Sequence, residues 1–81
     1  MNVDRLVEMV NQISAFFEAN PDRHAAAAGV AHHLTRFWDP RMKKQIVAHH
    51  AVGGSGLSEI AAAAVAQLAE RYGPTSAGGS T

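Results

Sequence analysis

Eighty-one residues without a single cysteine leave few ways to hold a fold together. A domain of this size rarely obtains more than ~3 to 5 kcal/mol from one hydrophobic core, and disulfides, a structural metal or a partner chain usually supply the rest. Here disulfides, thiolate zinc sites, iron–sulfur ligation and cysteine nucleophiles are excluded outright. The core is also thin. Hydrophobic residues make up 47% of the chain, but sixteen of them are alanine, which buries little area. Two supplements survive: a histidine/carboxylate metal site, or a partner.

Charge narrows the choice further. Seven basic residues balance seven acidic ones, so no net field draws in phosphate backbones or anionic lipid. Asp4, Arg5 and Glu8 interrupt the apolar positions near the N-terminus, which argues against a signal peptide. The apolar run Ala61 to Ala66 is far short of the ~20 residues that cross a bilayer. These features predict a cytoplasmic protein with no membrane and no nucleic-acid partner.

Apolar spacing predicts an all-α unit, a small bundle of about four short helices. Leu6, Val10, Ile13 and Phe17, with Val3 one turn earlier, mark an amphipathic helix over Val3 to Ala19. Asp4, Glu8, Asn11 and Glu18 lie on its polar face, and Asn20-Pro21 stops it. Phe16 and Phe17 are sequence neighbours, so they point about 100° apart. One of the two is therefore expected to face a partner.

Asp22 is placed to cap a second helix to about Phe37, with Ala26, Val30, Leu34 and Phe37 on one face and Ala27, Ala31 and Trp38 beside it. Gly29 inside that helix costs up to ~1 kcal/mol relative to alanine, which predicts close approach of a neighbouring helix. Asp39-Pro40 starts a third helix, Pro40 to Ala51, with Met42, Ile46 and Val47 inward. Arg41, Lys43 and Lys44 occupy its first turn, where the helix dipole disfavours cations. That placement hints at an acidic partner group.

Gly53, Gly54 and Gly56 make a turn, and Ser58 caps a fourth helix whose period is Ile60, Ala64, Leu68 and Tyr72. Gly73-Pro74 ends it. Residues 1–72 thus read as one helical domain and 73–81 as a disordered tail with nothing to bury.

Few residues suit chemistry of their own. His32-His33 and His49-His50 are adjacent pairs that diverge around a helix, unlike i, i+4 metal ligands, and no carboxylate marks a third vertex. Ser14, Ser55 and Ser58 read as helix surface, glycine turn and cap, not as nucleophiles beside a base. Gly53-Gly54-Ser55-Gly56 lacks both the Gly-Lys-Ser/Thr ending and the preceding strand of a phosphate loop. No catalytic, cofactor-binding or metal-binding residue is assigned. The most distinctive stretch, Phe37-Trp38-Asp39-Pro40-Arg41-Met42, gathers tryptophan, arginine and methionine at a helix junction. Composition divides it evenly between a core corner and a binding hot spot.

Several of these segments together resemble a known family. They are Leu6-Val7-Glu8-Met9-Val10-Asn11-Gln12-Ile13 with Phe16-Phe17, then Val30-Ala31-His32-His33-Leu34, then Phe37-Trp38-Asp39-Pro40-Arg41-Met42, then His49 and Gly53-Gly54-Ser55-Gly56-Leu57. In order and spacing, over roughly residues 3 to 70, the chain resembles the delta subunit of the soluble NAD-dependent formate dehydrogenases. It departs from the family's usual Asp-His-Leu at His32-His33-Leu34, and from Asp-Pro after Gly-Leu at Ser58-Glu59.

The resemblance implies a non-catalytic accessory subunit of a cytoplasmic molybdenum or tungsten enzyme that oxidises formate to carbon dioxide. The implied partners form an alpha-beta-gamma-delta complex. The alpha subunit would carry the bis-pterin molybdenum or tungsten site and iron–sulfur clusters, the beta subunit FMN and the NAD site, and the gamma subunit a further iron–sulfur cluster. This chain would carry none. Phe16, Phe17, Phe37, Trp38, Arg41, Met42 and His49 are the expected docking residues, most directly toward the alpha subunit. Two alternatives are a transient chaperone for assembly or cofactor insertion and, less strongly, a small helical DNA-binding regulator; the latter would need a broader basic face.

Overall fold

A computed structural model describes residues 2–72, and four α-helices account for most of them. They are α1 (Val3–Ala15), α2 (Arg23–Phe37), α3 (Pro40–Ala51) and α4 (Glu59–Tyr72). No strand occurs among the described residues. The expected tail, 73–81, lies outside the described residues.

Each helix starts where a short polar side chain can take up a backbone N–H that has no intrahelical partner. Asn2 accepts from the Asp4 amide at 2.8 Å, Asp22 from Ala25 at 3.1 Å, Asp39 from Met42 at 2.9 Å, and Ser58 from Ala61 at 3.2 Å. Pro40 occupies the first turn of α3, as its missing donor allows. At the other end of α3, Gly54 adopts φ 63° and its N–H reaches back to the His49 carbonyl at 2.9 Å. That left-handed cap turns the chain toward α4.

α2 and α4 share the most extensive interface, with α3 packed on α4 and α1 touching the other three. Ala26, Ala27, Ala31, Ala61 and Ala64 are buried and let the helices approach closely. Leu6, Val10, Val30, Leu34, Ile46, Val65 and Leu68 fill the space between them and are fully buried.

Four details differ from the periodicity. α1 ends at Ala15, not Ala19, because the chain tightens into i→i−3 hydrogen bonds: Phe17 N–H to Ser14 at 2.9 Å and Asn20 N–H to Phe17 at 3.1 Å. Ser14 is fully buried, not at the helix surface. Its hydroxyl donates to the Val10 carbonyl at 2.8 Å, so burial leaves it satisfied.

The close neighbour of Gly29 is the Phe17 ring, not a helix backbone: a Cβ there would lie 2.5 Å from Phe17 Cε1. Phe37 is 66% exposed instead of lying in line with Val30 and Leu34. The chain leaves the helix at Trp38 (φ −87°, ψ 143°), and it is the tryptophan, four residues after Leu34, that turns inward.

Candidate functional site

The residues expected to dock divide into two groups. Trp38 is 6% exposed and belongs to the core. Phe17 and Met42 are half-buried against that core. His49 is half-buried, and its Nε2 sits 2.8 Å from the Ser55 carbonyl, where it braces the glycine turn. The outward group is Phe16, 85% exposed, together with Phe37 and Arg41. The adjacent rings of Phe16 and Phe17 face different ways, one into water and one onto the core.

Phe37 stands at the end of α2 in an ordered setting. Its ring lies 4.7 Å from that of His33, tilted by 43°, and the Arg36 guanidinium carbon is 5.8 Å from its centroid. Both are compatible with an aromatic edge and a cation–π contact. Immediately beyond it, Asp39, Pro40, Arg41 and Lys44 line an open hollow at the start of α3.

The three basic residues near the start of α3 separate in space. Arg41 and Lys44 are exposed, whereas Lys43 is 7% exposed. Lys43 Nζ donates to the Thr35 carbonyl at 3.2 Å. That oxygen belongs to the last turn of α2, where carbonyls lack helical partners and a cation meets the negative end of the dipole. Periodicity alone could not reveal this. A lysine between Met42 and Ile46 reads as solvated unless the preceding helix end is known to lie against it.

Asn11 is another residue the pattern placed at the surface but the fold engages. Its Nδ2 donates to the Gly56 carbonyl at 2.9 Å and its Oδ1 accepts from the Ser58 amide at 2.9 Å. Both ends of one amide thereby hold the α3–α4 turn to α1.

Among the described residues, no group of three or more His, Cys, Asp or Glu is arranged to hold a metal ion. A polar notch of about 180 Å³ between α2 and α4 is lined by His32, Thr35, Gln67 and Arg71. Ser55 and Ser58 lie at the turn and the cap, with Ser58 Oγ engaged by the Ala61 amide. No helix among the described residues is long and apolar enough to cross a membrane.

Fold and surface together define, among the described residues, a small all-α unit of four helices that keeps Trp38 inside and presents Phe16 and Phe37 outside. The family model described as NADH-dependant formate dehydrogenase delta subunit FdsD matches residues 5–65, and the chain belongs to that family. The match spans α1, α2, α3, the glycine turn and the first half of α4. No curated protein and no solved structure matches the chain.

Proposed function

We propose that this delta subunit is a non-catalytic, cytoplasmic accessory chain that assembles or stabilises an NAD-dependent formate dehydrogenase. It would dock on the alpha subunit of an alpha-beta-gamma-delta complex. The observation that carries the reading is the pair of exposed aromatics, Phe16 at 85% and Phe37 at 66%, on a chain of the delta-subunit family. Large aromatic side chains left in water are the anchors that binding hot spots use. The donor set agrees with a supporting role: with no cysteine, the chain offers no thiolate to an iron–sulfur cluster. Molybdenum or tungsten, flavin, iron–sulfur and NAD sites fall to the partner subunits in this reading.

The physical action is mass action. A chain that binds only the folded or assembled form of its partner shifts the equilibrium toward that form. The thin core gains from the same contact, since surface buried at the interface adds to that buried within. The outward residues Phe16, Phe37 and Arg41 are the direct contacts in this reading, while Phe17, Trp38, Met42 and His49 hold them in place from behind.

The test is purification of the enzyme with and without this chain, read by size-exclusion chromatography, cofactor content and formate-dependent NAD reduction. Stoichiometric co-elution and a loss of stable complex without the chain support a resident subunit. Full assembly and unchanged stability without it would overturn the reading. Loss of cofactor loading with no co-elution would favour the chaperone role.

A further inference from the structure

We propose that the corner where α2 ends and α3 begins receives an acidic segment of a partner subunit, with Phe37 as the apolar anchor and Arg36, Arg41 and Lys44 as a cationic frame. The inference rests on the subunit reading above and specifies the chemistry of the contact.

Charge is distributed unevenly on a chain that is neutral overall. Between Arg36 and Lys44 stand four cations and one anion. The anion, Asp39, has its carboxylate engaged by the Met42 amide, and Lys43 folds inward onto Thr35. Arg36, Arg41 and Lys44 remain exposed and form no ion pair among the described residues. Arg41 and Lys44 also lie in the first half of α3, close to the positive end of its dipole, so an acidic neighbour would relieve an unfavourable placement.

The apolar part is ordered in advance. Phe37 contacts the His33 ring and the Arg36 guanidinium, so docking it costs less side-chain freedom than fixing a ring without neighbours. The hollow lined by Asp39, Pro40, Arg41 and Lys44 begins two residues further along the chain. A second copy of this chain is a poorer occupant. Its Glu8 and Glu59 are ion-paired with Arg5 and Arg23 and Asp22 caps α2, while the exposed Asp4, Glu18 and Glu70 are scattered along the chain and form no acidic segment. Nucleic acid is poorer still, because three cations on a neutral chain make no continuous phosphate-binding stripe.

The test measures binding of the purified full-length chain to the formate dehydrogenase complex prepared without it, over 50 to 500 mM salt, on the order of the range in which surface electrostatics are screened. Wild-type affinity is expected to fall at least tenfold across that range. The variant R41E/K44E should bind at least tenfold more weakly at low salt and show a flattened salt response. Its new glutamates suit the start of a helix, so impaired folding would not explain the loss. F37S should also lose at least tenfold, and R5E should stay within twofold. Wild-type affinity in R41E/K44E, or salt-independent binding, would overturn the acidic segment yet leave the subunit reading intact. Failure of the wild-type chain to bind the complex would overturn both, as would salt-sensitive binding of duplex DNA or self-association in its place.

Discussion

The ring of Phe17 occupies the space where Gly29 lacks a side chain: a Cβ built on Gly29 would stand 2.5 Å from Phe17 Cε1 and 3.0 Å from Cδ1. The glycine is therefore a seat for the turn that follows α1. Without it, the segment carrying Phe16 and Phe17 could not close over α2 in its present position.

Gly29→Ala is expected to lower stability by about 1 kcal/mol, because overpacking of roughly 1–3 kcal/mol exceeds the ~1 kcal/mol that alanine gains in a helix interior. In a Phe17→Ala background the sign should invert, and the same substitution should stabilise by up to ~1 kcal/mol. A double-mutant cycle by urea denaturation checks this. The same sign in both backgrounds would show that the two residues do not oppose each other.

Trp38 and Phe37 are neighbours with opposite fates, 6% and 66% exposed. Trp38→Ala should cost about 3–5 kcal/mol of folding stability, the range for emptying a large buried aromatic site. Phe37→Ala should change stability by no more than about 0.5 kcal/mol, as for an ordinary surface substitution. Thermal unfolding of the isolated chain separates the two, and recovery of the enzyme complex should fall for Phe37→Ala although the chain stays folded.

Lys43 is the cation that joins two helices. Lys43→Met keeps the apolar stem and removes the ammonium from the Thr35 carbonyl, so it should cost about 1–3 kcal/mol, the range for a hydrogen bond to a charged group. Lys44→Met, on the exposed side, should stay within about 0.5 kcal/mol. Equal effects in chemical denaturation would contradict the inward assignment.

Asn11 joins positions 45 and 47 residues away in the chain. Asn11→Ala should cost about 1–2 kcal/mol, since two hydrogen bonds disappear and each contributes ~1 kcal/mol. Amide hydrogen exchange at Ser58 should accelerate more than at Ala61, whose partner is the Ser58 hydroxyl. Unchanged exchange at Ser58 would mean the turn holds without α1.

Much of the architecture was legible because it is local. Asp22, Asp39-Pro40 and Ser58 mark helix starts through hydrogen bonds reaching only three residues ahead. The residues that carry the family resemblance are also contiguous stretches, and the family match covers them. The exposure of the residues proposed to dock was legible only in outline. Phe16, Phe37 and Arg41 face outward, but nothing in their spacing separates them from Phe17, Trp38 and Met42, which lie against the core.

By itself, then, the sequence determined four helices, three of their N-caps (Asp22, Asp39 and Ser58), the exclusion of thiol chemistry and the kinship to a delta subunit. The tertiary structure decided which member of each aromatic pair is buried, that Lys43 points inward, and that Asn11 binds a distant turn. The physical reason is that helical periodicity sets the direction of a side chain relative to its own axis. Whether that direction meets water or another helix depends on how the axes pack. Here that packing buries one shared core, and contacts such as Phe17 on Gly29 and Asn11 on Gly56 and Ser58 tie α1 and the turns to it.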